Sequence, residues 1–163
     1  YPDSGMFVFK GARFYLAICA TPLGQNNHGG HTHNDKLGYE LWIDGLDIAR
    51  DPGTYLYTPL PGKRNEFRSV KSHNVPIVED LEQNSWGEGA IGLFGMFSEC
   101  RCEVVDFGEN FISLATEYKG VKIIRKFEIK EEKLEIIDMA NREFYYSKFG
   151  LYSNGYGKLM KNV

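Results

Sequence analysis

The stretch VKIIRKFEIK at residues 121–130 alternates with a period of two: Val121, Ile123, Phe127 and Ile129 fall on one parity, and Lys122, Lys126, Glu128 and Lys130 on the other. Successive side chains of a strand point to opposite faces, so this pattern puts one face in a core and the other in water, whereas a helix would mix the two sets. The following EEKLEIID reads as its hairpin partner, turned at Glu131 and Glu132. Asp44-Gly45 and Lys119-Gly120 stand between apolar runs as two-residue hairpin turns, and Gly108 breaks another run. Strands are predicted at 6–9, 13–20, 39–43, 47–50, 75–78, 99–105, 111–118, 121–130, 133–139 and 145–152. The 18 glycines, 10 tyrosines and 11 phenylalanines suit strands joined by tight turns. The expected fold is all-β, an antiparallel β-sandwich of roughly ten or more strands forming a single domain over 1–163.

With 163 residues, 42% of them hydrophobic, the chain is long enough to bury a core. A formal net charge of -3 leaves no basic field to attract nucleic acid or an anionic membrane, so neither is an expected partner. No apolar run approaches the roughly 18 to 20 residues of a membrane span, and no charged-then-apolar leader stands at the start. The chain opens at Tyr1, which suggests a fragment, so the lack of a leader carries no information on compartment. Cys19, Cys100 and Cys102 have no CxxC spacing; the latter two share a strand face, too far apart for easy bridging, and all three read as packed thiols.

Two segments resist strand assignment, 23–37 and 51–72, and loops of that length in a compact domain usually carry function. The first spends three of the chain's four histidines, His28, His31 and His33, within six positions. If 31–33 is extended, the His31 and His33 imidazoles project to the same side and one metal could take both. Asp51 is a candidate third ligand, because the Asp44-Gly45 turn folds its strand back beside 39–43. His73 precedes the strand predicted at 75–78. Two imidazoles, one carboxylate and a water would suit Zn²⁺. The plainer reading is also open: solvent-exposed histidines in a glycine-rich loop, with Asp51 capping backbone amides in an Asp-Pro-Gly turn. His28 reads as a bystander. Arg64, Asn65 and Arg68, in the run RNEFRS, are candidate substrate-binding residues, since guanidinium groups clamp carboxylate or sulfate, or else solvated loop charges. Trp42 and Trp86 read as packing residues.

The segments GGHTHNDKLGYELWIDGLDIARDPGTYLY, RNEFRSVKSHNVPIVED and IIRKFEIKEEKLEIID, in that order, resemble the heparinase II/III-like family of polysaccharide lyases. The resemblance runs over roughly 5–138 and implies the C-terminal β-sandwich region of enzymes that also carry an N-terminal α/α toroid, here missing together with its catalytic tyrosine and its asparagine or histidine. It implies β-elimination on a uronic-acid-containing acidic polysaccharide. The first histidine of the family's H-x-H motif falls on His31, which would face the substrate in proton abstraction or charge neutralisation. The second falls on His33, a zinc ligand, and the set is completed by Asp51 of the D-P-G-T-Y element and by His73 of the H-N pair. His28, Arg64, Asn65 and Arg68 receive no role from the resemblance. It further implies an isolated piece without activity of its own, and a bacterial periplasmic or secreted location.

Two other readings compete. Cupin oxidoreductases place an H-x-H motif in a β-barrel, but want a glutamate four or five positions after the second histidine, whereas Glu40 comes seven after His33. A non-catalytic carbohydrate-binding or scaffold domain would keep the sandwich without the chemistry.

Overall fold

A computed structural model describes residues 1–131 and 133–161. Along the chain run β1 (Met6–Lys10), β2 (Phe14–Cys19), β3 (Tyr39–Ile43), β4 (Leu46–Ala49), α1 (Pro61–Arg68), α2 (Gly89–Phe94), β5 (Arg101–Phe107), β6 (Phe111–Tyr118), β7 (Val121–Lys130), β8 (Lys133–Ala140), β9 (Leu151–Tyr152) and β10 (Met160–Lys161). Strands β1 to β4 form one antiparallel meander, β5 to β8 a second, and β9 with β10 a two-stranded ribbon. Asp44-Gly45 and Lys119-Gly120 make the expected hairpin turns, all four residues having positive φ, while Glu132 lies outside the described residues.

The two larger sheets share one core. Leu16, Ile18 and Leu41 from the first meet Ile112, Leu114, Tyr118, Val121, Ile123 and Phe127 from the second. The alternation in β7 is the cause: Val121, Ile123 and Phe127 are buried and Ile129 partly so, whereas none of its lysines is buried.

The expected all-β, antiparallel character and strand number hold: among the described residues there are ten antiparallel strands, arranged in three sheets, with two α-helices between them. Residues 75–78 form only a bridge, Ile77 with Tyr145, because Val75 and Ile77 pack with Val70 in a small second core instead of joining a ladder. Apolar runs report burial, not pairing. The strand predicted at 145–152 shrinks to that bridge and to β9. Helix α1 arises inside the long 51–72 loop with Pro61 in its first turn, where the missing N–H costs nothing; its inward residues are Phe67 and two arginines, which no apolar periodicity announces. Among the described residues no helix is long and apolar enough to cross a membrane.

Arg125 occupies the inward parity of β7 and is 2% exposed. Its Nε and Nη2 bind the Asp138 carboxylate of β8 at 2.7 and 2.8 Å, and its Nη1 donates to the carbonyls of Leu37 at 2.8 Å and Asn74 at 2.7 Å. Leu37 ends the histidine-bearing loop and Asn74 follows His73, so one buried guanidinium ties both loops to the second sheet. The Asn74 side chain adds a two-way clamp on the backbone of Tyr39, at 3.0 and 2.6 Å.

Candidate functional site

The segment carrying His31 and His33 is not extended. Thr32 folds back on Gly29, whose carbonyl accepts from the Thr32 amide at 3.2 Å and its hydroxyl at 2.8 Å, and His31 takes a left-handed φ of 64°. A non-glycine residue held there costs on the order of 1 kcal/mol or more, and such strain gathers at functional sites. The turn sends the two imidazoles apart: His31 is exposed and His33 is buried. Below it the loop is pinned by Asn34, whose amide donates to the Glu82 carboxylate at 2.6 Å and the Asn84 carbonyl at 2.9 Å, and whose oxygen accepts from the Asn84 amide at 3.0 Å.

His33 meets Asp51 and His73. Their ligand atoms all lie within 4.8 Å of one another, and the two rings stand 5.3 Å apart. Asp51 leaves the end of β4 with one carboxylate oxygen capping the Gly53 amide at 2.8 Å, as the plain turn reading expects, and the other on His73 Nδ1 at 2.7 Å. The pKa of His33 is pushed down to about 3, first by burial and then by the charges of His73 and Arg64, so the ring is neutral, the form that ligates a metal. Burial opposes charge on His73 too, but the hydrogen bond and charge of Asp51 overcome it and hold its pKa above the ordinary value; Asp51 is correspondingly held low by His73 against its own burial. His73 Nε2 is buried with no hydrogen-bond partner. Two imidazoles and one carboxylate whose ligand atoms lie within 4.8 Å of one another, with one His73 ring nitrogen left unpartnered, are a donor set of the kind that holds a zinc ion. A metal taken at His73 Nδ1 would displace the proton shared with Asp51, whereas one taken at Nε2 would leave that hydrogen bond in place behind the ring.

The exposed His31 ring packs edge-on against Tyr57 at 5.0 Å and tilted against Phe94 at 5.4 Å. Tyr57 stacks with Phe94 and with Tyr156. His28 is exposed and outside the three-residue cluster.

Arg64, Asn65 and Arg68 all lie on α1. Arg68 is fully buried: it donates to Asn65 Oδ1 at 3.0 and 2.7 Å, reaches the Gly92 carbonyl of α2 at 2.6 Å, and lies 4.3 Å over Trp86. It thereby welds α1 to α2. Gly92 is required for a different contact: a Cβ there would sit 1.9 Å from the carbonyl oxygen of Gly87, in the segment leading into α2. Arg64 is fully buried beneath the histidine loop, donating to the Thr32 carbonyl at 3.1 Å with its charge 5.1 Å from the Tyr57 ring. Trp86 packs as expected. Trp42 does not: it is 40% exposed on the outer face of the first sheet, opposite Tyr15, where both line a cleft of about 880 Å³ that reaches Asp51.

Residues 1–143 match the sequence pattern described as heparinase II/III-like, C-terminal. The chain belongs to this family. Three solved structures share the fold of this heparinase II/III-like chain. A heparan sulfate lyase, HepC of Pedobacter heparinus, is 15% identical with a TM-score of 0.68, covering 98% of this chain and 31% of that one. A heparinase III described as the BT4657 gene product is 20% identical with a TM-score of 0.65, covering 86% and 21%. Another heparinase III is 16% identical with a TM-score of 0.56, covering 84% and 22%. The heparinase II/III-like chain therefore spans between about a fifth and a third of these relatives' length. No curated protein matches it. The ring contacts that join Tyr57, Phe94 and Tyr156 around His31 were not legible in the sequence. Tyr57 at least lies in the quoted DPGTYLY stretch; nothing in spacing connects 94 or 156 to His31.

Proposed function

We propose that this chain is the C-terminal part of a larger polysaccharide lyase that cleaves uronic-acid-containing acidic polysaccharide by β-elimination. In this reading the two four-stranded sheets are the faces of a β-sandwich, His33, Asp51 and His73 hold Zn²⁺, and His31 faces the substrate. The observation that carries it is the convergence of three ligand atoms from three separate segments, with an exposed histidine held in strained backbone two residues from one of them. Family membership and the partial coverage of longer lyases support the same reading.

In β-elimination a base takes the proton from C5 of the uronate, the C4–O4 bond breaks, and the leaving oxygen takes a proton from an acid, leaving an unsaturated ring. The C5 proton is weakly acidic because the neighbouring carboxylate is already charged, so donors that neutralise this carboxylate contribute a few kcal/mol each. His31 supplies one group for proton transfer or neutralisation, and an N-terminal toroid of the same protein supplies the other. Zinc, when bound, supplies a cross-link between loops with little core of their own. Elimination uses no water nucleophile, which favours that structural role and the fixing of His31. Arg64, Asn65 and Arg68 serve the substrate side indirectly, through the shape and charge of the floor beneath His31. The expected location is the bacterial periplasm or outside the cell.

For the cupin reading, Glu40 is exposed and outside the three-residue cluster, accepting instead from the Asp51 amide at 3.4 Å. A non-catalytic carbohydrate-binding or scaffold domain is the reading to test against. Metal analysis of the purified chain should return one zinc per chain. The full-length parent should release unsaturated uronate, followed by absorbance, while the 163-residue piece should not. Replacing His31 by alanine in the parent with zinc retained and turnover unchanged would move the assignment to the scaffold reading.

A further inference from the structure

Arg64 and Arg68 carry charge in the interior with no carboxylate in ion-pair range of either among the described residues. Arg64 is the less satisfied of the two, since its Nε and Nη1 are buried without any hydrogen-bond partner. An uncompensated buried cation is expensive, and it raises the affinity of the surface above it for an anion.

That surface is aromatic. Tyr57 lies over the Arg64 guanidinium, with Phe94 parallel to it within 26° at 5.5 Å and Tyr156 within 20° at 6.2 Å. Tyr57 and Phe94 are half-buried, whereas Tyr156 is 61% exposed. Tyr156 is set in place by the C-terminal segment crossing the Asp51 loop, where Ser153 N binds the Pro52 carbonyl at 2.8 Å and Gly157 N the Tyr55 carbonyl at 2.9 Å. Two of the three rings, Tyr57 and Phe94, stand against the exposed His31 imidazole, and Tyr156 extends the stack from Tyr57 into solvent. A parallel stack with a wet outer ring presents an apolar face of the size of a pyranose, and the cation beneath selects among pyranoses by charge.

We infer that Tyr57, Phe94 and Tyr156, over the uncompensated Arg64, form a subsite beside His31 that stacks one pyranose ring bearing an anionic group, a uronate carboxylate or a sulfate ester. Tyr156 supplies the stacking face, Tyr57 couples that face to His31, and Arg64 is a positioning residue that acts through Tyr57 and through its field. This rests on the reading that His31 faces the glycan.

The test is titration of the chain, labelled with ¹³C in tyrosine and phenylalanine rings, against three tetrasaccharides: unsulfated alternating hexuronate and N-acetylhexosamine, its sulfated counterpart, and the neutral N-acetylglucosamine tetramer. Acidic sugars should shift the Tyr57, Phe94 and Tyr156 ring signals, and bind about tenfold more tightly than the neutral one. Tyr156→Ala should weaken acidic binding roughly three- to tenfold, with Tyr156→Phe near the parent value. Arg64→Met should abolish the preference for acidic over neutral sugar; if that variant does not fold, the Tyr156 pair and the neutral tetramer decide. Equal binding of unsulfated and sulfated sugars assigns the carboxylate; binding of the sulfated form alone assigns the sulfate ester. Equal binding of the neutral tetramer, or silence of the three rings with every sugar, overturns the subsite. Ring shifts without turnover in the full-length parent would leave the subsite standing and remove the lyase reading. Turnover with silent rings and no effect of Tyr156→Ala would do the reverse.

Discussion

Asp138→Ala is expected to be the most damaging single change away from the cluster of His33, Asp51 and His73. Arg125 and Asp138 are paired with both side chains 2% exposed, through two charge-assisted hydrogen bonds of 2.7 and 2.8 Å. Removing the carboxylate strands two guanidinium N–H groups in the interior, at about 1–3 kcal/mol each, and leaves the charge uncompensated, for a total of about 3–5 kcal/mol. Tyr146, which also donates to Asp138, is 52% exposed and recovers water, so it adds little. At an m of about 2 kcal/mol/M the urea midpoint should fall by about 1.5–2.5 M, and the melting temperature by roughly 6–20 °C. The double replacement Arg125→Met with Asp138→Leu removes both charges at similar volume and should recover most of the loss. It should still loosen zinc binding, because the carbonyls of Leu37 and Asn74 lose the donor that ties both loops to the sheet. A single-variant cost below about 1 kcal/mol in urea unfolding, or a double variant as unstable as the single, would refute this account of the pair.

Other outcomes follow from the site and its surroundings. His73→Ala should lower zinc affinity by more than about 100-fold and erase the stabilisation seen on adding zinc, measured by a competing chelator and by melting with and without metal. Gly29→Ala should cost about 1–3 kcal/mol and broaden the His31 NMR signals, since Gly29 has a φ of +69° and a Cβ there would lie 2.6 Å from the Met96 amide nitrogen. Burial raises the thiols of Cys19 to about 11 and Cys102 to about 12, so both should react with a disulfide reagent at pH 8 at least tenfold more slowly than a free thiol, and at the ordinary rate after unfolding.

The strands and their turns were readable because they depend on local rules. The two-residue alternation in β7 and the Asp44-Gly45 and Lys119-Gly120 turns specify hairpins wherever the rest of the chain lies, and each appears where predicted. The return of Asp51 beside the strand that follows the histidine loop was readable from the hairpin turn, whereas the choice of His33 over His31 and the addition of His73 came only with the family resemblance, because no turn rule links 73 to 33. Other features had no local signature. Helix α1 is held by Phe67 and by bonds of Arg68 to α2; the sequence around it looks like a charged loop. Arg125 reads as one more charged residue in β7, yet its parity points inward, and only the presence of Asp138 opposite and two free carbonyls above makes its burial tolerable. The left-handed turn at His31, which separates the imidazole facing solvent from the one facing the cluster, is likewise imposed by the Gly29–Thr32 contacts and the packing against Tyr57 and Phe94. Periodicity and turn chemistry act between neighbours in the chain and so are written in it, whereas the placing of a buried charge or a strained histidine is a balance among groups that meet only after the sheets have closed.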